Sequence, residues 1–138
     1  MKAFLVGRHK LLEAQSRGLE ELGFEIVGQV VNIDDPVEFI NSVVQKGAEA
    51  VVIQALPLSL LAQILPLAKR NNIKIFMFEQ GRAQIFNDEE EARKFVEEAP
   101  DRRILLISAT DQRFRVVEFT GVVEVKEIKV VTVKVWEP

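Results

Sequence analysis

Gly7, Arg8, His9 and Lys10 follow directly on the apolar run Phe4–Val6, and His9 is the chain's only histidine. Arginine presents a planar fork that suits phosphate or carboxylate, and lysine a compact point charge. Histidine exchanges a proton near neutral pH. Other polar groups stand just past later apolar runs: Asn32 and Asp34, Gln54, then Glu79, Gln80 and Arg82, then Ser108 and Thr110 to Arg113. The amides Asn32, Gln54 and Gln80 can read the hydrogen-bonding edges of a base or a sugar. Together these side chains suit a phosphorylated, polar-edged small molecule.

Each residue also has an ordinary reading. His9 and Lys10 fit a solvated strand-to-helix turn equally well. Arg8 could form a structural ion pair with Asp34. Glu79 to Arg82 could be a plain loop turned by Gly81. Gln54 is harder to dismiss, because a polar side chain ending an apolar run usually faces a crevice. The acidic run Asp88–Glu91 suits a solvated helix N-terminus. Trp136 fits packing or a dimer contact better than catalysis.

The elements that must position these groups follow from periodicity. Strands are expected at Lys2–Val6, Phe24–Val31, Ala50–Ala55, Ile73–Phe78 and Ile104–Ala109. Helices fall between them. The first carries Leu11, Leu12, Gln15, Leu19 and Leu22, with Gly18 marking a close approach by its packing partner. The second starts at Asp34, Asp35 and Pro36. The third spans Pro57 to about Arg70, with Pro66 expected to kink it or end its first half. The fourth starts at Asn87 or Asp88. AVVIQA is continuous rather than alternating, as in a parallel strand covered on both faces. Residues 113–138 read as a β-hairpin or β-tail, with its turn near Thr120 and Gly121. The expectation is one α/β domain over residues 1–138, a doubly wound, mostly parallel Rossmann-like sheet of order near 2-1-3-4-5, with the β-tail appended. Ligands of such sheets bind outside the carboxyl ends of the strands, where strand order reverses. Arg8, His9 and Gln54 should therefore be close in space.

Composition narrows the function. The 138 residues suit one core, and 48% hydrophobic with 28% charged residues is a globular balance. A net charge of −3 does not favour duplex nucleic acid. No apolar stretch is long enough for a membrane helix, and no basic region with a cleavage site precedes the first strand. The absence of cysteine excludes disulfides and thiolate metal sites. A cytoplasmic protein with no metal and no cofactor is expected. Abundant Val, Ile, Glu, Lys and Arg would suit a thermophile. There is no GxGxxG, P-loop or GxSxG motif. Gly7-Arg8 and Gln54 stand where a phosphoacceptor receiver needs acids, and the first turn lacks a flavodoxin's phosphate loop.

The stretch FLVGRHKLLEAQ, its leucine-rich helix and Gly23, together with AVVIQA, resembles the start of several small CRISPR-associated Rossmann-like proteins, a resemblance that covers roughly the first eighty residues of this chain. The resemblance implies a CARF-like homodimer that binds cyclic oligoadenylate or a related nucleotide at the carboxyl ends of its strands. Some such proteins are metal-independent ring nucleases. Carried over by position, Arg8 and His9 would meet phosphate or ribose, and Gln15 and Gln54 would line the pocket. In a cleaving site His9 would be the acid or base, and Arg8, with Lys10 or Arg82, would offset developing charge. The β-tail and the EQGRAQIF loop depart from the pattern. The alternative is a non-catalytic dimeric interaction protein of cellular or viral origin.

Overall fold

The computed structural model describes residues 1–108 and 110–138. Strands are β1 (Lys2–Val6), β2 (Glu25–Val30), β3 (Ala50–Ile53), β4 (Lys74–Gln80), β5 (Gln84–Phe86), β6 (Arg103–Ile107) and β7 (Phe114–Val125). Helices are α1 (Glu13–Glu21), α2 (Pro36–Gln45), α3 (Leu58–Arg70) and α4 (Glu89–Glu97). The first four strands run parallel in the order β2-β1-β3-β4, as the alternation of strands and helices predicts.

Beyond β4 the sheet departs from the expected Rossmann-like order. The neighbour of β4 is β7, and it runs antiparallel. The run predicted as a parallel fifth strand forms β6, which pairs antiparallel with β7 instead. Ala109, the last residue of that predicted strand, lies outside the described residues. β5, unforeseen in the EQGRAQIF loop, also pairs with the first half of β7. The sheet is mixed because β7 supplies one long ladder that β4, β5 and β6 all use.

The expected hairpin at Thr120-Gly121 is instead a bulge within β7. Glu79 opposes Gly121 and Gln80 opposes Phe119, which leaves Thr120 as the extra residue. Thr120 Oγ1 donates to Glu79 O at 3.2 Å. A bulge bends a strand and increases its twist. Past it, the first half of β7 curls with β5 and β6 into a half-barrel wall. Residues 126–138 form no strand.

The two faces of the sheet bury separate cores. Phe4, Val6, Val51, Ile53 and Ile75 meet α2 and α3 through Phe39, Ile40, Val43, Leu61, Ile64 and Ala68. Ala3, Leu5, Ala50, Val52 and Phe78 meet Leu19 of α1, with Phe119 and Val122 of β7 against them. All four residues of β3 are buried, as its unbroken apolar run requires. Asp35 caps α2, its Oδ1 accepting from Val37 N at 2.9 Å, and Asp88 caps α4 in the same way. Pro66 does not end α3, which continues to Arg70. No helix among the described residues is long and apolar enough to cross a membrane.

Gly18 faces β7, but the close approach expected there is not found. An added Cβ would stand 3.9 Å from Phe119 Cζ and from Val122 Cγ2, an ordinary contact. Gly18→Ala is therefore expected to stabilise the protein by about 0.5–1 kcal/mol, through helix propensity and a less flexible unfolded chain. Chemical denaturation measures this, and a lower midpoint would show that α1 needs the glycine for closer packing.

Candidate functional site

Residues 7–12, between β1 and α1, form the centre of the polar end of the sheet. Gly7 N donates to Val30 O at 2.9 Å, and Gly7 O accepts from Gln29 Nε2 at 3.1 Å. These bonds fix the loop to β2. From the other side, Gln54 Nε2 donates to His9 O at 2.8 Å, and Gln54 N donates to Val6 O at 2.9 Å. Gln54 thus acts first as a tether that shapes the loop. Its Oε1 is buried and has no hydrogen-bond partner among the described residues. It lies where a side chain on Gly7 would be, 1.9 Å from an ideal Cβ.

Gln15 also has a structural task. It is 7% exposed, and its Oε1 accepts from Leu12 N at 2.8 Å. That bond satisfies one of the free amides at the start of α1, where Leu12 has no side-chain acceptor to offer. α1 is held to the far side of the molecule by Ala14 N donating to Asp101 O at 3.0 Å and by the Arg17–Asp101 ion pair at 3.3 Å.

Three hollows surround the loop, and His9 lines all of them. One holds Gly7, Arg8, His9 and Asn32 beside Leu56 and Pro57. A second lies between the loop and β2, with Arg8, Lys10, Ser16 and Gln29. The third is the most enclosed, with a volume of about 280 Å³. Its lining is polar at His9, Lys10, Gln15, Gln54 and Gln80 and apolar at Leu12 of the loop and at Ile104, Leu106 and Val117 of β6 and β7.

The candidates therefore divide across the loop. His9, Lys10, Gln15, Gln54 and Gln80 share the enclosed hollow. Gly7, Arg8 and Asn32 face the neighbouring one, so Arg8 and Gln54 do not line the same cavity. Arg82 lies in the β4–β5 connection and lines none of the three. The suggested Arg8–Asp34 ion pair does not form among the described residues. Asp111 stays within its own turn, accepting from Arg113 N at 3.1 Å and pairing with Arg115 at 2.8 Å. The Arg113 amide, helped by Ser108, holds the Asp111 carboxyl below its ordinary pKa.

The apolar wall of the enclosed hollow is what sequence reasoning missed. Ile53 is level with Met77, Met77 with Val123, and Arg103 only with Glu118. After the bulge is discounted, β6 begins about four residues, roughly 13 Å, beyond the end of β3. The wall thus overhangs the carboxyl ends of the parallel strands. Ile104 and Leu106 point the same way by strand alternation, and Val117 lies opposite Ile104. They remain 38% and 47% exposed because the hollow opens to solvent. On the opposite face of β6, Arg103 lies 3.8 Å from the Phe95 ring centroid and donates to Phe95 O at 2.6 Å. Its hydrogen bond to Glu118 raises its pKa above the ordinary value, with Glu98 adding to this. This clamp fixes the wall to α4. ILLI is apolar throughout, so the sequence does not say which of its residues face the hollow, and its antiparallel partner lies across a turn and could not be read.

The fold and hollow define an α/β protein with a mixed, half-barrel sheet and a polar-and-apolar crevice at the carboxyl ends of its parallel strands. No protein-family model matches the chain, and no curated protein matches it either. Among the described residues no three metal-ligating side chains cluster.

Proposed function

We propose that the enclosed hollow binds a nucleotide, with cyclic oligoadenylates the first class to test. One observation carries the reading: the amides of Gln15, Gln54 and Gln80 and the cationic Lys10 face the apolar wall of Ile104, Leu106 and Val117 across one cavity. A purine needs an apolar surface for its ring and amides for its edge, and its phosphate needs a cation at the mouth. The hollow offers each, and the neighbouring hollow adds Arg8 and Asn32 for a second phosphate or sugar. Glu13, in the first turn of α1, opposes an anion at that helix end, so phosphate is expected at Lys10 and Arg8.

The proposal is for binding alone.

Calorimetry with cyclic tri-, tetra- and hexa-adenylate and with AMP tests the reading, using the natural sequence and Leu106→Asp. Leu106 is half exposed on a strand edge, so the melting temperature should hold. Binding to the natural sequence and a loss of about tenfold or more in the variant are expected, since a carboxylate would meet the ligand's own charge and lose the apolar contact. Failure of every ligand to bind, or equal binding by the variant, overturns the proposal. The alternative, an interaction protein without a small-molecule ligand, draws on a different region, the exposed chain end.

A further inference from the structure

Residues 126–138 leave the sheet after Val125 and form no secondary structure. Ile128 packs on the core beside α3. Beyond it Val130, Val131, Val133, Val135 and Trp136 are each at least 76% exposed. β-branched residues in this pattern suit a strand, and a strand without a partner exposes both its backbone and its apolar side chains.

We propose that residues 129–137 pair antiparallel with the same residues of a second copy of this chain, about a two-fold axis at Val133. The argument rests on register. A two-fold axis through an antiparallel pair requires one residue to oppose itself. With Val133 at the axis, Lys129 opposes Glu137 twice, Val131 opposes Val135 twice, and Val130 opposes Trp136 twice. One face then reads lysine, three valines, glutamate on each strand, closed at both ends by opposite charges. Moving the axis to Thr132 sets Glu127 against Glu137. Moving it to Lys134 sets two lysines face to face. Opposed unlike charges and β-branched pairs stabilise antiparallel ribbons, and opposed like charges destabilise them. Lys134 and Glu137 already pair within one chain at 2.9 Å, and Lys129 with Glu127 at 3.3 Å. These pairs are exposed and weak, so exchanging them loses little.

The place of the tail shows what such a dimer would do. Val125 pairs with Ile75 near the start of β4, at the end of the sheet opposite the enclosed hollow. The dimer leaves each hollow open and separate. The inference does not rest on nucleotide binding.

Sedimentation equilibrium of the whole chain over a concentration series tests it, with Lys129→Glu and Glu137→Lys as single variants. The natural sequence should dimerise. Each single variant should weaken the dimer about tenfold, because both charge pairs become repulsive. An equimolar mixture of the two variants should recover dimer, since each then supplies the charge the other lacks. A natural sequence that stays monomeric, a dimer that neither reversal changes, or a mixture that does not recover overturns the proposal. The last two outcomes would point to a sheet edge, β2 or β6, as the partner of the tail.

Discussion

Gly7→Ala is expected to destabilise the protein by about 2–4 kcal/mol, from overpacking and backbone strain together. The new methyl would stand 1.9 Å from Gln54 Oε1 and 2.7 Å from Gln54 Cβ, at a backbone φ of +151° that favours glycine. Relief would require Gln54 to leave, and with it the 2.8 Å bond that holds His9 O. The loop would then lose its anchor on β3, so ligand affinity should fall along with stability. A double variant separates the two causes. Gln54→Ala removes Oε1 and Cδ but leaves a Cβ at the same short distance, so the pair should recover part of the loss and not all. Denaturant titration of the natural sequence, both single variants and the pair would measure this. A pair as unstable as the sum of its members would mean that the two residues do not meet.

Phe4→Ala should cost about 3–5 kcal/mol, the usual range for a buried ring. Phe4 is 5% exposed, and its ring meets Phe39 edge to face with centroids 6.1 Å apart. It also occupies the space over Gly28, where an added Cβ would stand 2.6 Å from Phe4 Cζ. The register between β1 and β2 slips by one residue at this place, between Ala3 and Phe4. Ring and glycine are therefore complementary. Gly28→Ala alone should destabilise by about 1–3 kcal/mol through overpacking. Combined with Phe4→Leu, which leaves room for the methyl, it should cost less than the two changes added. Strict additivity in a double-mutant cycle would show that ring and glycine are independent.

These residues also show how far the chain could be read in advance. The first four strands and all four helices were legible because each carries its own local signal. β3 is an unbroken apolar run, α2 opens with Asp35 and Pro36, and α4 opens with Asp88 before three acids. The polar loop after β1 was legible for the same reason, whereas Gly18, read as a close approach, has room for a Cβ. The tasks of two glutamines were not. Gln54 and Gln15 read as ligand contacts, yet each first satisfies a backbone group, His9 O and Leu12 N. A side chain's hydrogen-bond partner depends on where the backbone passes, and residue type does not reveal that.

Local order along the chain, the periods of its apolar residues, its caps and its charge are properties of the sequence alone. They determined that this protein is α/β, that its first strands are joined by helices, and that a basic loop follows the first strand; the same signals pointed to a fifth parallel strand at Ile104–Ala109, which the fold does not have. Tertiary structure decided the rest. A strand edge accepts either a parallel or an antiparallel neighbour, and ILLI carries no mark of its partner. The long ladder of β7 captured β6, β5 and β4, and the Thr120 bulge bent that ladder over the loop. Only this long-range pairing places Ile104 and Leu106 opposite Gln54, and so turns a polar loop into a crevice.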